Sequence, residues 1–273
     1  MKLVSFLHDT RTLVGELVGE HVYNTSIPGS MFDTIRRGIT PTRTSEHYPL
    51  ADVQLIAPLR PGKIIAIGRN YVEHAQELSH DVPSAPIIFA KFPSSVIGHG
   101  ETIAWRSSIT QKVDWEGELA VVIGKKARDV SEADAYKHVF GYTIANDVSA
   151  RDLQLEIDAQ WTRGKSLDTF CPMGPYIITP DEVPDPHTLT VKTLVNDEVV
   201  QDGKTELMIF KIPHLIAYCS RMFTLEPGDV ILTGTPSGVG HGRKPPMYLK
   251  DGDTVTVSIS SIGELRNPCK TLD

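Results

Sequence analysis

Cysteine is scarce in this chain: Cys171, Cys219 and Cys269 are far apart among 273 residues and show no CxxC spacing. This excludes a disulfide-built scaffold and argues against a thiolate zinc site. It points to a reducing compartment, expected to be the cytosol. Long apolar runs are also missing. The early LVSFL stretch is cut by His8-Asp9, too short for the apolar region of a secretory signal. No segment approaches the roughly 18 apolar residues a membrane-spanning helix needs. There is no cationic surplus either, with 27 Lys and Arg against 34 Asp and Glu and a net charge of −7. A nucleic-acid binder or a partner of anionic membranes needs the opposite balance. The sequence shows no internal repeat and no low-complexity tract.

What is present is a globular composition, 40% hydrophobic and 22% charged, in a chain long enough for a substantial core. LVSFL, TLVGELV and HVYN read as short strands joined by hairpin-length connections. MFDTIRRG reads as a helical turn ended by Gly38, and residues 40–54, TPTRTSEHYPLADVQ, as a linker. A boundary near residue 60 follows, setting a small N-terminal β domain over 1–57 apart from a larger domain over 58–273. Beyond it, KIIAIG, PIIFAKF, LAVVIG, GYTIAN, YIIT, LTVKTLVN, DVILTG and TVTVSISSIG are rich in Ile, Val and Thr. Helices are expected at 70–79, from Ser131, in RDLQLEIDAQW and in FKIPHLIAYCSRMF. The alternation of a doubly wound sheet is absent. The expected class is α+β and β-rich, with a rolled sheet or sandwich.

Val113–Ile123 carries the strongest chemical signal. As one strand, it would place Val113, Trp115, Gly117, Leu119, Val121 and Ile123 on an apolar face. Asp114, Glu116 and Glu118 would share the other face with Ala120 and Val122. Two carboxylates brought to about 4 Å repel by about 4 kcal/mol at an effective dielectric near 20. Water, protonation of one acid, or a divalent cation can offset that repulsion. A cation in an all-oxygen site would be Mg²⁺, Mn²⁺ or Ca²⁺. Asp147, at the end of GYTIAND, offers a third carboxylate, although such a residue by itself is commonly a turn or cap.

Six segments in order resemble the fumarylacetoacetate hydrolase family, in particular its acylpyruvase and oxaloacetate-decarboxylase-like members. They are GRNYVEHAQE (68–77), VDWEGELAVVIG (113–124), GYTIANDVSARDLQ (141–154), WTRGKSLDTFCPMGP (161–175), GDVILTGTPSGVG (228–240) and GDTVTVSISSIGELRNP (252–268). The resemblance implies a rolled mixed β-sheet, usually in a homodimer, with one Mg²⁺ or Mn²⁺ held by Glu116, Glu118 and Asp147. Asp114 is not among the implied ligands and is expected to face outward or to support them. His74 and Glu77, spaced i and i+3, share a helical face, so the carboxylate can orient the imidazole. In the family such a pair activates water, and the loop SHDVPSAP after it can order over substrate. Lys165, next to Gly164, resembles the family lysine that contacts a substrate oxygen. Arg151, Gln154 and Thr235 of the TGTP turn are the implied substrate-binding residues. TGTPSGVG lacks the Gly-Lys-Ser/Thr ending of a phosphate loop. His99, His138 and His241 are read as structural or surface residues.

These residues imply a small keto-acid substrate. The reading ranked first is hydrolysis of the C–C bond of a 2,4-diketo acid, with His74 as the base and the cation and Lys165 holding enolate charge. Decarboxylation of oxaloacetate and ketonisation of an unsaturated 2-hydroxy acid use the same groups and are the alternatives. A noncatalytic binding module is disfavoured by the acids, the His–Glu pair and Lys165 occurring together.

Overall fold

The computed structural model describes residues 1–27, 29–157 and 160–272. Among the described residues the strands form two large mixed sheets and a two-stranded ribbon in which Val113–Asp114 pairs with Ser149–Ala150. Among the described residues the main path of the larger sheet is Arg43–Pro49, His21–Thr25, Arg11–Val18, Lys2–His8, Cys171–Ile178, Val139–Asn146, Gly117–Ile123, Val230–Leu232, Ile64–Gly68 and Ile87–Lys91. The smaller sheet orders Glu198–Lys204, Thr190–Val195, Thr254–Ile259, Gly263–Thr271 and Ile103–Trp105. Most pairs are antiparallel, but Val230–Leu232 runs parallel to Ile64–Gly68. The expected β-rich α+β class is the one observed.

Gly117–Ile123 lies inside the larger sheet and is covered on both faces. Leu119, Val121 and Ile123 pack in one core with Val191, Val257 and Ile259 of the smaller sheet. Ala120 and Val122 point into a second core with Met31, Ile35, Ala66 and Leu232. Both strand faces are therefore buried, which is why the run reads almost continuously apolar. Helix Ile212–Met222 closes the first core with Ile212, Leu215, Ile216 and Cys219, one stripe at helical spacing. Burial pushes each of the three cysteine thiols up to about 12, so they act as small apolar side chains.

Residues 1–57 share both sheet and core with the rest. Leu3 pairs with Ile177 across an antiparallel ladder. Helix Met31–Arg37 places Met31 and Ile35 in the second core. The helix begins at Ser30, whose hydroxyl accepts the Asp33 N–H at 3.2 Å, and ends at the left-handed Gly38.

Three expectations are corrected. Within the supposed linker, Arg43–Pro49 is a strand paired with His21–Thr25. It is a largely exposed edge strand, so it carries no apolar alternation to read. The expected strand over 113–123 is interrupted at Trp115 and Glu116, leaving Val113–Asp114 and Gly117–Ile123 as separate strands. The expected helix over 151–161 is a short turn, Arg151–Leu155; its positions 158 and 159 lie outside the described residues. A second short helix, Thr162–Lys165, follows.

Between the two site glutamates, Gly117 lets the sheets touch, because a Cβ there would lie 2.3 Å from Thr193 Oγ1. Gly117→Ala is expected to cost about 1–3 kcal/mol of stability through overpacking, read as a lower urea midpoint. An unchanged midpoint would contradict this tight sheet contact.

Candidate active site

Strand pairing brings Glu116 and Asp147 together. Gly117 faces Asn146 and Glu118 faces Ala145. One step beyond, the Asp147 N–H donates to the Glu116 carbonyl at 2.8 Å. At the strand interruption the Glu116 N–H donates to Asn146 Oδ1 at 2.9 Å, so the broken ladder is repaired by a side chain. Oxygens of Glu116, Glu118 and Asp147 lie within 4.8 Å of one another, and all three residues are buried.

Buried cations surround them. Lys165 Nζ donates to Glu116 Oε2 at 2.6 Å and to Asp147 Oδ2 at 2.8 Å. Lys91 Nζ is 2.7 Å from Asp147 Oδ1 and also reaches the Lys165 carbonyl. Arg151 Nη2 is 2.7 Å from Glu116 Oε1, while its Nε donates to Asp114 Oδ2 at 2.8 Å. Four buried carboxylates, those of Asp114, Glu116, Glu118 and Asp147, thus face the three cations Lys91, Arg151 and Lys165. Glu118 is the one left without an ion pair among the described residues; it accepts the Gly234 N–H at 2.6 Å. Burial, with Asp147 and Glu116 charged beside it, raises its carboxyl well above the ordinary 4.5. Burial also opposes ionisation of Glu116, but Lys165 and Arg151 outweigh it and hold that carboxyl well below its ordinary value. Lys165 is likewise raised: burial disfavours its charge, and Asp147 and Glu116 more than restore it.

This donor set fits a hard divalent cation. Asp147 Oδ1 is buried and accepts no hydrogen bond among the described residues, despite the nearby Lys91 charge. Glu118 forms no ion pair among the described residues. Three carboxylates that include these two groups offer the all-oxygen environment Mg²⁺ or Mn²⁺ prefers.

His74 and Glu77 are brought together as the sequence spacing implied. They sit on helix Val72–Glu77, with His74 Nδ1 2.7 Å from Glu77 Oε1. Glu77 Oε2 accepts the Gly238 N–H at 2.8 Å, so the carboxylate is itself held. With Nδ1 engaged, Nε2 is the ring nitrogen left for the cleft. That cleft is lined by His74, Glu116, Glu118, Arg151, Gln154, Lys165 and Thr235, among others. Leu78 and His80, from the start of the following loop, also line it. Gln154 Oε1 accepts from Arg151 Nη1 at 2.9 Å. Gly164 permits the close approach of Lys165, because a Cβ would come within 2.7 Å of the Ala150 carbonyl. Thr235 reaches the cleft with its hydroxyl already donating to the Gly117 carbonyl at 2.9 Å and accepting from Gln201 Nε2 at 2.8 Å.

The structure settles Asp114 as a supporting residue. It is fully buried. Oδ1 accepts the Trp115 and Gly240 N–H groups at 2.8 and 2.7 Å, and Oδ2 accepts from His241 N–H at 3.0 Å as well as from Arg151. Lys91 and Gln201 were missed by the sequence analysis. For Lys91 a signal existed: strand alternation puts it on the same face as Ile87 and Phe89, where a lone ammonium needs a partner. Gln201 carried none.

Residues 63–270 match the family described as Fumarylacetoacetate (FAA) hydrolase C-terminal. The chain is 50% identical over 224 residues to oxaloacetate tautomerase YisK of Bacillus subtilis, covering 81% of this chain and 74% of that protein. It is 45% identical over 264 residues to the mitochondrial oxaloacetate tautomerase fahd2 of Xenopus laevis, covering 93% of this chain and 82% of that one. Among solved structures, maleylpyruvate hydrolase from Sphingobium sp. SYK-6, in complex with manganese (II) ion and pyruvate, superposes with a TM-score of 0.81 at 32% identity and covers 99% of both chains. No helix among the described residues is long and apolar enough to cross a membrane.

The raised Glu118 carboxyl has a pH consequence. With its carboxyl raised, Glu118 holds its proton to higher pH in the metal-free folded protein than in the unfolded chain, where it leaves near 4.5. Folded-state stability from this group therefore declines as pH rises from that value toward the folded-state pKa. As pH rises above about 4.5, the metal-free protein is expected to lose melting temperature relative to Glu118→Gln. Added Mn²⁺ should reverse the trend, because the cation binds the deprotonated carboxylate. Parallel melting curves for the two metal-free proteins would count against an uncompensated Glu118.

Proposed function

Because the chain belongs to the fumarylacetoacetate hydrolase family, we propose that it is a divalent-cation-dependent oxaloacetate tautomerase, interconverting the enol and keto forms. The observation that carries this reading is that His74, paired with Glu77, lines the same cleft as Glu116 and Glu118, which cluster with the buried Asp147. Oxaloacetate tautomerase is the name of the two relatives compared above. Sequence reasoning ranked C–C hydrolysis first, and these names favour its proton-shuttle alternative instead. That route needs no attacking water, only a group that moves a proton at C3 and cations that hold charge on oxygen.

Glu116, Glu118 and Asp147 would hold Mg²⁺ or Mn²⁺. When bound, the cation polarises the 2-keto group and stabilises negative charge on its oxygen. His74 Nε2 delivers or removes the proton at C3, and Glu77 fixes the ring and stabilises its protonated form. Lys165 Nζ supplies a second positive charge for the C2 oxygen. Arg151 and Gln154 form the adjoining polar wall, and Thr235 belongs to the turn facing the substrate carboxylate. In the ketonisation direction the enol hydroxyl loses its proton, the C2–O bond becomes a carbonyl, the C2=C3 double bond becomes single and C3 gains a proton, so no C–C bond is broken.

A second reading, cleavage of an acylpyruvate, is favoured by the similarity to a hydrolase whose structure contains manganese and pyruvate. It uses His74 on water instead of on C3. Pyruvate release from acetylpyruvate separates it from the first reading.

Chelator is expected to abolish enol–keto interconversion of oxaloacetate and Mn²⁺ to restore it. His74→Gln should lower kcat by about 10²–10⁴-fold with KM little changed, measured by ultraviolet absorbance of the enol. Full activity in His74→Gln would remove the proton shuttle.

A further inference from the structure

Three strong bases line the cleft: Arg69, Arg151 and Lys165. Arg151 is neutralised by Asp114 and Glu116, and Lys165 by Glu116 and Asp147. Arg69 has no ion pair among the described residues. Its guanidinium lies 5.4 Å from the centre of the Trp161 ring. Trp161 is in turn edge-on to Phe89, with centroids 5.4 Å apart. Stacking holds the planar fork in place and leaves its N–H donors available for an oxyanion. The wall it belongs to also carries His80, whereas the acids lining the cleft are the ligand candidates Glu116 and Glu118.

The backbone adds an independent observation. Arg69 has φ of 55°, in the left-handed region that a long side chain rarely adopts. It follows strand Ile64–Gly68, and Asn70 locks the next step: Asn70 Nδ2 donates to the carbonyls of Phe210 and Thr233 at 3.0 and 2.8 Å. The strained position directs the residue between strand end and Asn70 into the cleft. Strain of this kind collects at ligand-binding positions.

We propose that Arg69 is a specificity-determining residue that binds the distal, C4 carboxylate of the substrate and thereby favours proton transfer over loss of CO₂. The assignment rests on the tautomerase reading above. During tautomerisation the C4 carboxylate keeps its charge, so a cation on it binds ground state and transition state alike. During decarboxylation the C3–C4 bond breaks, its electron pair moves into the enolate, CO₂ leaves and C3 later takes a proton. The charge then departs from C4, and a guanidinium on that group stabilises the reactant more than the transition state. A retained Arg69 contact therefore raises the barrier to CO₂ loss while leaving the C3 proton transfer unhindered.

Malate and lactate isolate this contact without turnover. Each presents a carboxylate and neighbouring hydroxyl for chelation, and malate alone carries the distal carboxylate. With Mn²⁺-loaded protein in isothermal titration, malate is expected to bind at least about tenfold tighter than lactate. Arg69→Gln should erase that preference with lactate affinity retained, which also shows an intact site, and Arg69→Lys should restore part of it. Equal binding of malate and lactate by the unsubstituted protein overturns the proposal, as does a preference that survives in Arg69→Gln. With oxaloacetate, Arg69→Gln should raise KM for tautomerisation with kcat nearly unchanged, and raise the ratio of pyruvate formed to enol converted. A fall or no change in that ratio overturns the role in suppressing CO₂ loss. Failure of the unsubstituted protein to accelerate enol–keto interconversion would instead remove the tautomerase reading, while the malate–lactate comparison still decides for Arg69.

Discussion

Four carboxylates buried in one patch of protein are the constraint around which this molecule is arranged. Carboxylates removed from water must find partners or take up protons. Here Lys91, Lys165 and Arg151 compensate Asp114, Glu116 and Asp147, and Glu118 remains short of a positive charge. A divalent cation held by Glu116, Glu118 and Asp147 would complete that balance. An anionic substrate would then meet a site whose positive charge is no longer in deficit. Lys165 occupies two positions in this logic: it donates to Glu116 and Asp147, and it lines the cleft where substrate oxygen would lie.

Support for the two chemical halves of the site runs through one loop. Gly240 and His241 N–H groups donate to Asp114, which holds Arg151 against Glu116. Two residues earlier, the Gly238 N–H donates to Glu77, which holds His74. The acid patch and the acid–base pair are therefore referenced to the same short backbone segment. Gln201 extends the frame by bridging Thr235, the Pro236 carbonyl and the Gly117 N–H. Such supporting hydrogen bonds keep reacting groups in a fixed geometry without touching the substrate.

Local periodicity made much of this legible. The β runs were visible because β-branched residues clustered between Gly, Pro and Asp, and helix Ile212–Met222 because its apolar residues recur at helical spacing. The His74–Glu77 contact follows from spacing alone. The Arg43–Pro49 strand escaped notice because an exposed edge has no buried face to encode. The break at Trp115 and Glu116 escaped for a different reason. It is stabilised by the Asn146 side chain, thirty residues away in sequence, and no local pattern announces such a partner.

The amino-acid sequence by itself determined the β-rich class, the helical pairing of His74 with Glu77 and the closeness of Glu116 to Glu118, because these depend on residue type and short-range spacing. The candidacy of Asp147 as their companion came from the family resemblance. Only the tertiary structure decided that Asp114 turns inward to hold Arg151, that Lys91 reaches Asp147, and that Arg69, alone among the strong bases lining the cleft, has no ion pair among the described residues. Electrostatic balance is a property of three-dimensional neighbourhood. The energy of a buried charge depends on which groups the fold brings within a few ångströms, and strand crossovers assemble those groups from segments far apart in the chain.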